Sequence, residues 1–152
     1  MNKTGSHASA LRKGRVSETG RIYLITCVTW QRKDIFSRWA CGRLLVTVLM
    51  NEHRRAGTLA YVVMPDHLHW LVQLSNDTSL DSLMRTVKGV SSHRINRELN
   101  RSGRIWQPGY HDHALRREED MIATARYMVA NPLRAGLVKR IGDYPLWDAA
   151  WL

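Results

Sequence analysis

Residues 64–74 read MPDHLHWLVQL, and this stretch decides how the chain folds. It follows LAYVVM at 59–64, a run rich in β-branched and aromatic residues. Pro65 and Asp66 suit the centre of a tight turn: proline presets φ, and aspartate bonds its own backbone. The two flanking runs are therefore predicted to pair as an antiparallel hairpin. In a strand, alternate residues share a face. Leu68, Trp70, Val72 and Leu74 then form an apolar stripe that needs a covering layer. His67, His69 and Gln73 fall on the other face, with the two imidazoles about 6 to 7 Å apart along the strand.

Outward from the hairpin, residues 21–30 (RIYLITCVTW) are apolar nearly throughout and predict a central strand covered on both faces. From Ser37, the expected N-cap, Cys41, Leu44, Leu45, Val48 and Leu49 recur at helical spacing until Gly57. After the hairpin, Leu80, Leu83, Met84, Val87, Val90 and Ile95 mark a second helix. Its opposite face carries Arg85, Lys88, Ser92 and Asn96. Residues 107–109 (QPG) predict a turn and 110–115 a fourth strand. Glu118, Glu119 and Asp120 suit the first turn of a third helix, where carboxylates complement the positive end of the dipole. That helix bears Tyr127 and is interrupted at Asn131 and Pro132. The order β α β β α β α predicts an α+β, ferredoxin-like fold: a four-stranded antiparallel sheet, two helices packed on one face, and a C-terminal helix lying elsewhere. Residues 1–20 are expected to form a basic flexible arm and 21–152 a single domain.

The chain has 152 residues, with 23 Lys and Arg against 13 Asp and Glu, a net charge of +10. That balance favours polyanions, nucleic acid first, through phosphate contacts and counterion release. No apolar run approaches the roughly 20 residues that span a bilayer, and residues 1–15 lack the apolar block of a secretory signal, so no membrane partner and a cytoplasmic address are expected. Cys27 and Cys41 have no Cys-x-x-Cys spacing and read as reduced core residues.

Spacing alone leaves the histidines with two readings. They are either neighbours on an exposed strand face or two ligands of one metal ion whose third ligand comes from another element. His111, Asp112 and His113 repeat the pattern, but Asp cannot plug a core as Leu68 can. Tyr127 likewise reads, from the helix pattern alone, as a core aromatic.

Several motifs together resemble a known family. His67-Leu68-His69 after the Met64-Pro65-Asp66 turn matches the histidine–hydrophobic–histidine (HUH) motif. The segment from Arg126 and Tyr127 through Asn131-Pro132-Leu133-Arg134-Ala135-Gly136 to Leu137-Val138 is similar to the tyrosine-bearing segment of HUH single-tyrosine transposases. Trp106-Gln107, His111-Asp112-His113, Leu115-Arg116 and the acidic 118–120 run resemble the branch of REP-associated tyrosine transposases. The resemblance spans residues 23–144.

It implies cleavage of single-stranded DNA at REP-like palindromic hairpins, with Tyr127 as nucleophile and a 5′-phosphotyrosine intermediate. It also implies Mg2+ or Mn2+ held by His67, His69 and a third polar residue. Asn131, four residues beyond Tyr127 on the same helix face, is the candidate for that third position. Asn before Pro is equally a helix N-cap, and related transposases often carry glutamine in this role. On the same basis Arg12, Lys13 and Arg15 would track a hairpin stem, and Arg85, Lys88 and Arg94 would line a phosphate channel. Trp30 and Trp106 are candidates for stacking on unpaired bases or for the core. The resemblance allows a monomer or a homodimer. Two rivals stay open: a hairpin-binding protein without cleavage on the same fold, and a metal hydrolase of small phosphoesters with water as nucleophile.

Overall fold

A computed structural model describes residues 21–75 and 77–150; the expected arm over 1–20, with Arg12, Lys13 and Arg15, lies outside the described residues. The elements run β1 (Ile22–Val28), α1 (Trp39–Asn51), β2 (Ala56–Met64), β3 (His67–Leu74), α2 (Leu80–Glu98), β4 (His111–Leu115), α3 (Glu118–Val129), α4 (Asn131–Arg134) and β5 (Trp147–Ala149). All pairings are antiparallel, in the order β4-β1-β3-β2-β5. The first four strands and two helices reproduce the ferredoxin-like arrangement.

The hairpin forms as its turn residues dictate: Met64 pairs with His67 across Pro65 and Asp66. Its tip is held from outside by buried Thr29, whose N–H and hydroxyl each lie 3.0 Å from the Asp66 carbonyl oxygen. Phe36 N–H donates to the Pro65 carbonyl at 3.0 Å. A turn fixed this way cannot let its first downstream residue, His67, drift.

The two sheet faces bury different partners. Tyr23, Ile25, Cys27, Leu68, Trp70, Val72 and Leu74 face α1 and α2, packing with Cys41, Leu45, Leu49, Leu83, Met84 and Val87. The opposite face carries Ala60, Val62, Met64 and Leu71, and it is covered by Ala125, Met128 and Val129 of α3. Paired residues on neighbouring strands share a face, and Val62 and Met64 are paired with His69 and His67. The third helix therefore lies on the histidine side of the sheet.

Several sequence expectations need correction. The sheet has five strands rather than four. β5 pairs Ala60 with Ala149 and Val62 with Trp147, while Val63 N–H donates to Leu146 O at 2.9 Å and Tyr144 Oη to Val63 O at 2.5 Å. The edge of β2 has backbone groups to satisfy, and this short segment does so. Three residues carry too little periodicity to announce a strand. β1 is not covered evenly on both faces: Tyr23, Ile25 and Cys27 are buried and the residues between them only half-buried. Arg38, not Ser37, caps α1, because Ser37 closes a preceding 3-10 turn, and Gly57 lies within β2. Cys27 and Cys41 are both buried and unbridged.

Candidate active site

His67 and His69 stand side by side with ring centroids 4.8 Å apart and planes at 80°. Each ring is fixed by a bond to its Nδ1. His67 Nδ1 lies 2.7 Å from Asp66 Oδ1, and the other carboxylate oxygen takes Arg32 Nε–H at 3.2 Å. His69 Nδ1 lies 2.9 Å from Thr26 Oγ1, the residue directly across the β1–β3 ladder. With both Nδ1 atoms engaged, each ring keeps Nε2 for another partner.

The electrostatics match the geometry. Burial, helped by the neighbouring His67 and the positive charge of Arg134, lowers the pKa of His69 to about 4. The ring is neutral at pH 7, the form that binds a metal. Burial pushes the Asp66 carboxyl up, but the His67 bond and the Arg32 charge outweigh it and hold the group below its ordinary value. A carboxylate on Nδ1 of a ligating histidine orients the ring and raises its basicity. Two imidazoles held through Nδ1, the His69 ring neutral, thus fit a divalent cation. Among the described residues no group of three or more His, Cys, Asp and Glu side chains is placed to hold one.

Tyr127 is 68% exposed, the most open large apolar side chain described. Its helix turns Ala125, Met128 and Val129 into the sheet and leaves the phenol outside. Arg134 stacks on it, with the guanidinium carbon 3.8 Å from the ring centroid. Nη2 of Arg134 donates to the Tyr127 carbonyl at 2.6 Å and also to Asn131 Oδ1. Asn131 opens α4, and its side-chain oxygen is occupied by that bond. The charge of Arg134 acts on both the Tyr127 ring and His69.

Other sequence candidates fall elsewhere. Arg85, Lys88 and Arg94 stand on α2, which covers the sheet face away from the histidines. Lys88 Nζ donates to the carbonyls of Gln107 at 2.7 Å and Gly109 at 2.6 Å. Trp106 is buried, its indole N–H donating to Ser91 Oγ at 2.9 Å, which corrects the stacking role offered for it. Trp30 is half-buried under the guanidinium of Arg104 at 4.9 Å. Sequence reasoning missed Thr26, Arg32, Asp66 and Arg134. Asp66, immediately before His67, was visible as a potential partner; the others depend on strand register and helix placement.

Comparison with known proteins finds relatives of the whole fold. The model of the family described as "Transposase IS200 like" matches residues 19–131. A REP-associated tyrosine transposase of Escherichia coli (strain K12) is 32% identical over 87 residues, covering 57% of this chain and 50% of that protein. A Haemophilus influenzae relative is 29% identical over 104 residues, covering 62% of this chain and 59% of its own length. The chain thus spans little more than half the length of these relatives. The fold matches a solved REP-associated tyrosine transposase bound to a REP hairpin with a TM-score of 0.72 and 25% identity, covering 88% of this chain and 79% of that one.

Proposed function

The chain belongs to the IS200-like transposase family, and from that premise we propose that it cuts and rejoins single-stranded DNA at REP-like palindromic hairpins. Tyr127 is the nucleophile. Its oxygen attacks the scissile phosphorus, the bond from phosphorus to the 3′ oxygen breaks, and the strand's 5′ end stays on the enzyme as a phosphotyrosine. The phenolic proton is lost and the departing 3′ oxygen gains one, leaving a 3′-hydroxyl. Attack by such a hydroxyl on the phosphotyrosine reverses the step and joins strands.

His67 and His69 would hold Mg2+ or Mn2+, with Asn131 offered as third ligand if Arg134 releases its side-chain oxygen. Bound there, the cation supplies positive charge that draws electron density from the scissile phosphate. Asp66 and Thr26 keep the imidazoles aimed, and Arg134 holds the phenol ring. A phenol of pKa about 10 is mostly protonated at neutral pH, so its deprotonation must be assisted within the site.

The observation that carries the reading is the shared face: an imidazole pair on β3 anchored through both Nδ1 atoms and an exposed phenol on the helix that covers the same side of the sheet. The test is a covalent-adduct assay. Hairpin DNA incubated with Mg2+ or Mn2+ should yield a protein–DNA adduct that disappears in Tyr127→Phe. Hairpin binding with no adduct under any divalent ion would instead identify a binding protein that does not cleave. Turnover of small phosphoesters retained in Tyr127→Phe but lost in His67→Ala would identify a metal hydrolase.

A further inference from the structure

Between the outer edge of β4 and the first turns of α3 lies an open cavity of about 960 Å³. Arg21, His113, Arg116, Arg117, Asp120 and Thr124 are among the residues lining it. Arg116 and Arg117 are exposed, and Arg117 Nε lies 3.6 Å from Asp120 Oδ2. Three guanidinium groups around a space far larger than one phosphate suit a chain of phosphates better than a single anion.

Its place on the sheet is informative. On β4, His111 is opposite Thr26, which is itself opposite His69, so these three side chains form a row across one face. His113, on the wall of the cavity, is the next residue on that face. Two strand spacings and two residues of rise separate it from His69 by about 12 Å between Cα atoms. A few nucleotides of extended strand cover that distance. The basic residues of α2, by contrast, stand across the sheet.

We propose that this cavity is a phosphodiester subsite holding the single-stranded flank of the hairpin substrate as it runs toward Tyr127. The proposal rests on the hairpin-cleavage function above. It gives Arg116 and Arg117 the role of backbone contacts, and Thr124 that of a neutral hydrogen-bond donor beside them.

The test compares three labelled DNAs by fluorescence anisotropy over a salt series: a hairpin with a single-stranded flank, the same hairpin blunt, and oligo(dT). In R116Q/R117Q, affinity for the flanked hairpin and for oligo(dT) should fall about tenfold or more. The slope of log K against log salt should shrink by about 1.4, because each lost single-strand contact removes about 0.7. Binding of the blunt hairpin should not change. R116K/R117K should keep most of the slope, and unchanged melting temperatures for both variants show that the fold is intact. Equal losses on flanked and blunt hairpins, or no loss on the flanked one, would overturn the subsite. So would displacement of flanked DNA by inorganic phosphate at constant ionic strength in the wild type only, which would assign the cavity to a free anion. A wild-type protein that binds oligo(dT) but no hairpin sinks the hairpin reading, and R116Q/R117Q then still decides the subsite on oligo(dT). Binding of none of the three DNAs overturns both.

Discussion

Arg134 packs over Tyr127, its guanidinium carbon 3.8 Å from the ring centroid, while one of its nitrogens donates to the Tyr127 carbonyl. A stacked cation at an exposed site contributes about 0.5–1 kcal/mol, too little to matter for folding but enough to bias where a mobile phenol spends its time. Arg134→Ala should lower the melting temperature by no more than about 4 °C and slow single-turnover adduct formation about two- to fivefold, equivalent to about 0.5–1 kcal/mol of lost positioning. Arg134→Lys should rescue little, since an ammonium cannot both stack and fork. Full activity in Arg134→Ala would show that the stack does not set the nucleophile's pose.

Asp66 and Thr26 reach the two imidazoles through their Nδ1 atoms, one with a carboxylate and one with a hydroxyl. Charge-assisted hydrogen bonds are roughly twice as strong as neutral ones, so the two anchors should differ in effect. Asp66→Asn should weaken Mn2+ binding within the 10–100-fold range typical of such outer partners, and Thr26→Val should weaken it less. Calorimetric titration of Mn2+ into each variant gives the ranking. The opposite order would mean that orientation of His69, rather than of His67, limits cation binding.

The pKa of His69, lowered to about 4, implies a definite dependence of stability on pH in the metal-free protein. An unfolded chain takes up this proton near pH 6.5, and the folded chain only near 4. Between those values the unfolded state binds more protons, so stability rises with pH and is lost as pH falls through that window. His69→Gln should flatten this part of a urea-denaturation series recorded from pH 7 to pH 4. Histidine NMR signals should show the His69 ring titrating near pH 4. If every ring titrates near 6.5, the pocket around His69 is wetter than the structure describes.

What could be read in advance follows the range of the interactions involved. The hairpin, the side-by-side histidines and the helix carrying Tyr127 are local, set by a turn and by two periodicities within short windows. The bond from Thr26 to His69 joins residues 43 apart in sequence and exists only because β1 meets β3 in one register. No property of Thr26 alone distinguishes it from any strand threonine. Burial of Trp106 depends on Ser91 standing opposite its N–H, a tertiary match invisible to composition. The side chosen by α3 was equally hidden. Its apolar residues need cover, but only the stripe of Ala60, Val62 and Leu71 on the second sheet face says which cover they get.

Lys88 reads from the sequence as a phosphate contact because it stands on the basic face of a helix in a chain of net positive charge, where the competing reading is a solvated side chain. In the structure its ammonium donates to Gln107 O at 2.7 Å and Gly109 O at 2.6 Å, clamping the loop that leads into β4. A hydrogen bond from a charged donor is worth about 1.5–3 kcal/mol, so Lys88→Met should destabilise the fold by about 2 kcal/mol or more. The same change should leave the salt slope of DNA binding untouched, whereas loss of a true duplex phosphate contact lowers that slope by about 0.9. Melting curves and salt-dependent anisotropy on Lys88→Met and Arg85→Gln together decide the matter. A lower slope with an unchanged melting temperature in Lys88→Met would return the residue to the DNA interface and make the loop clamp incidental.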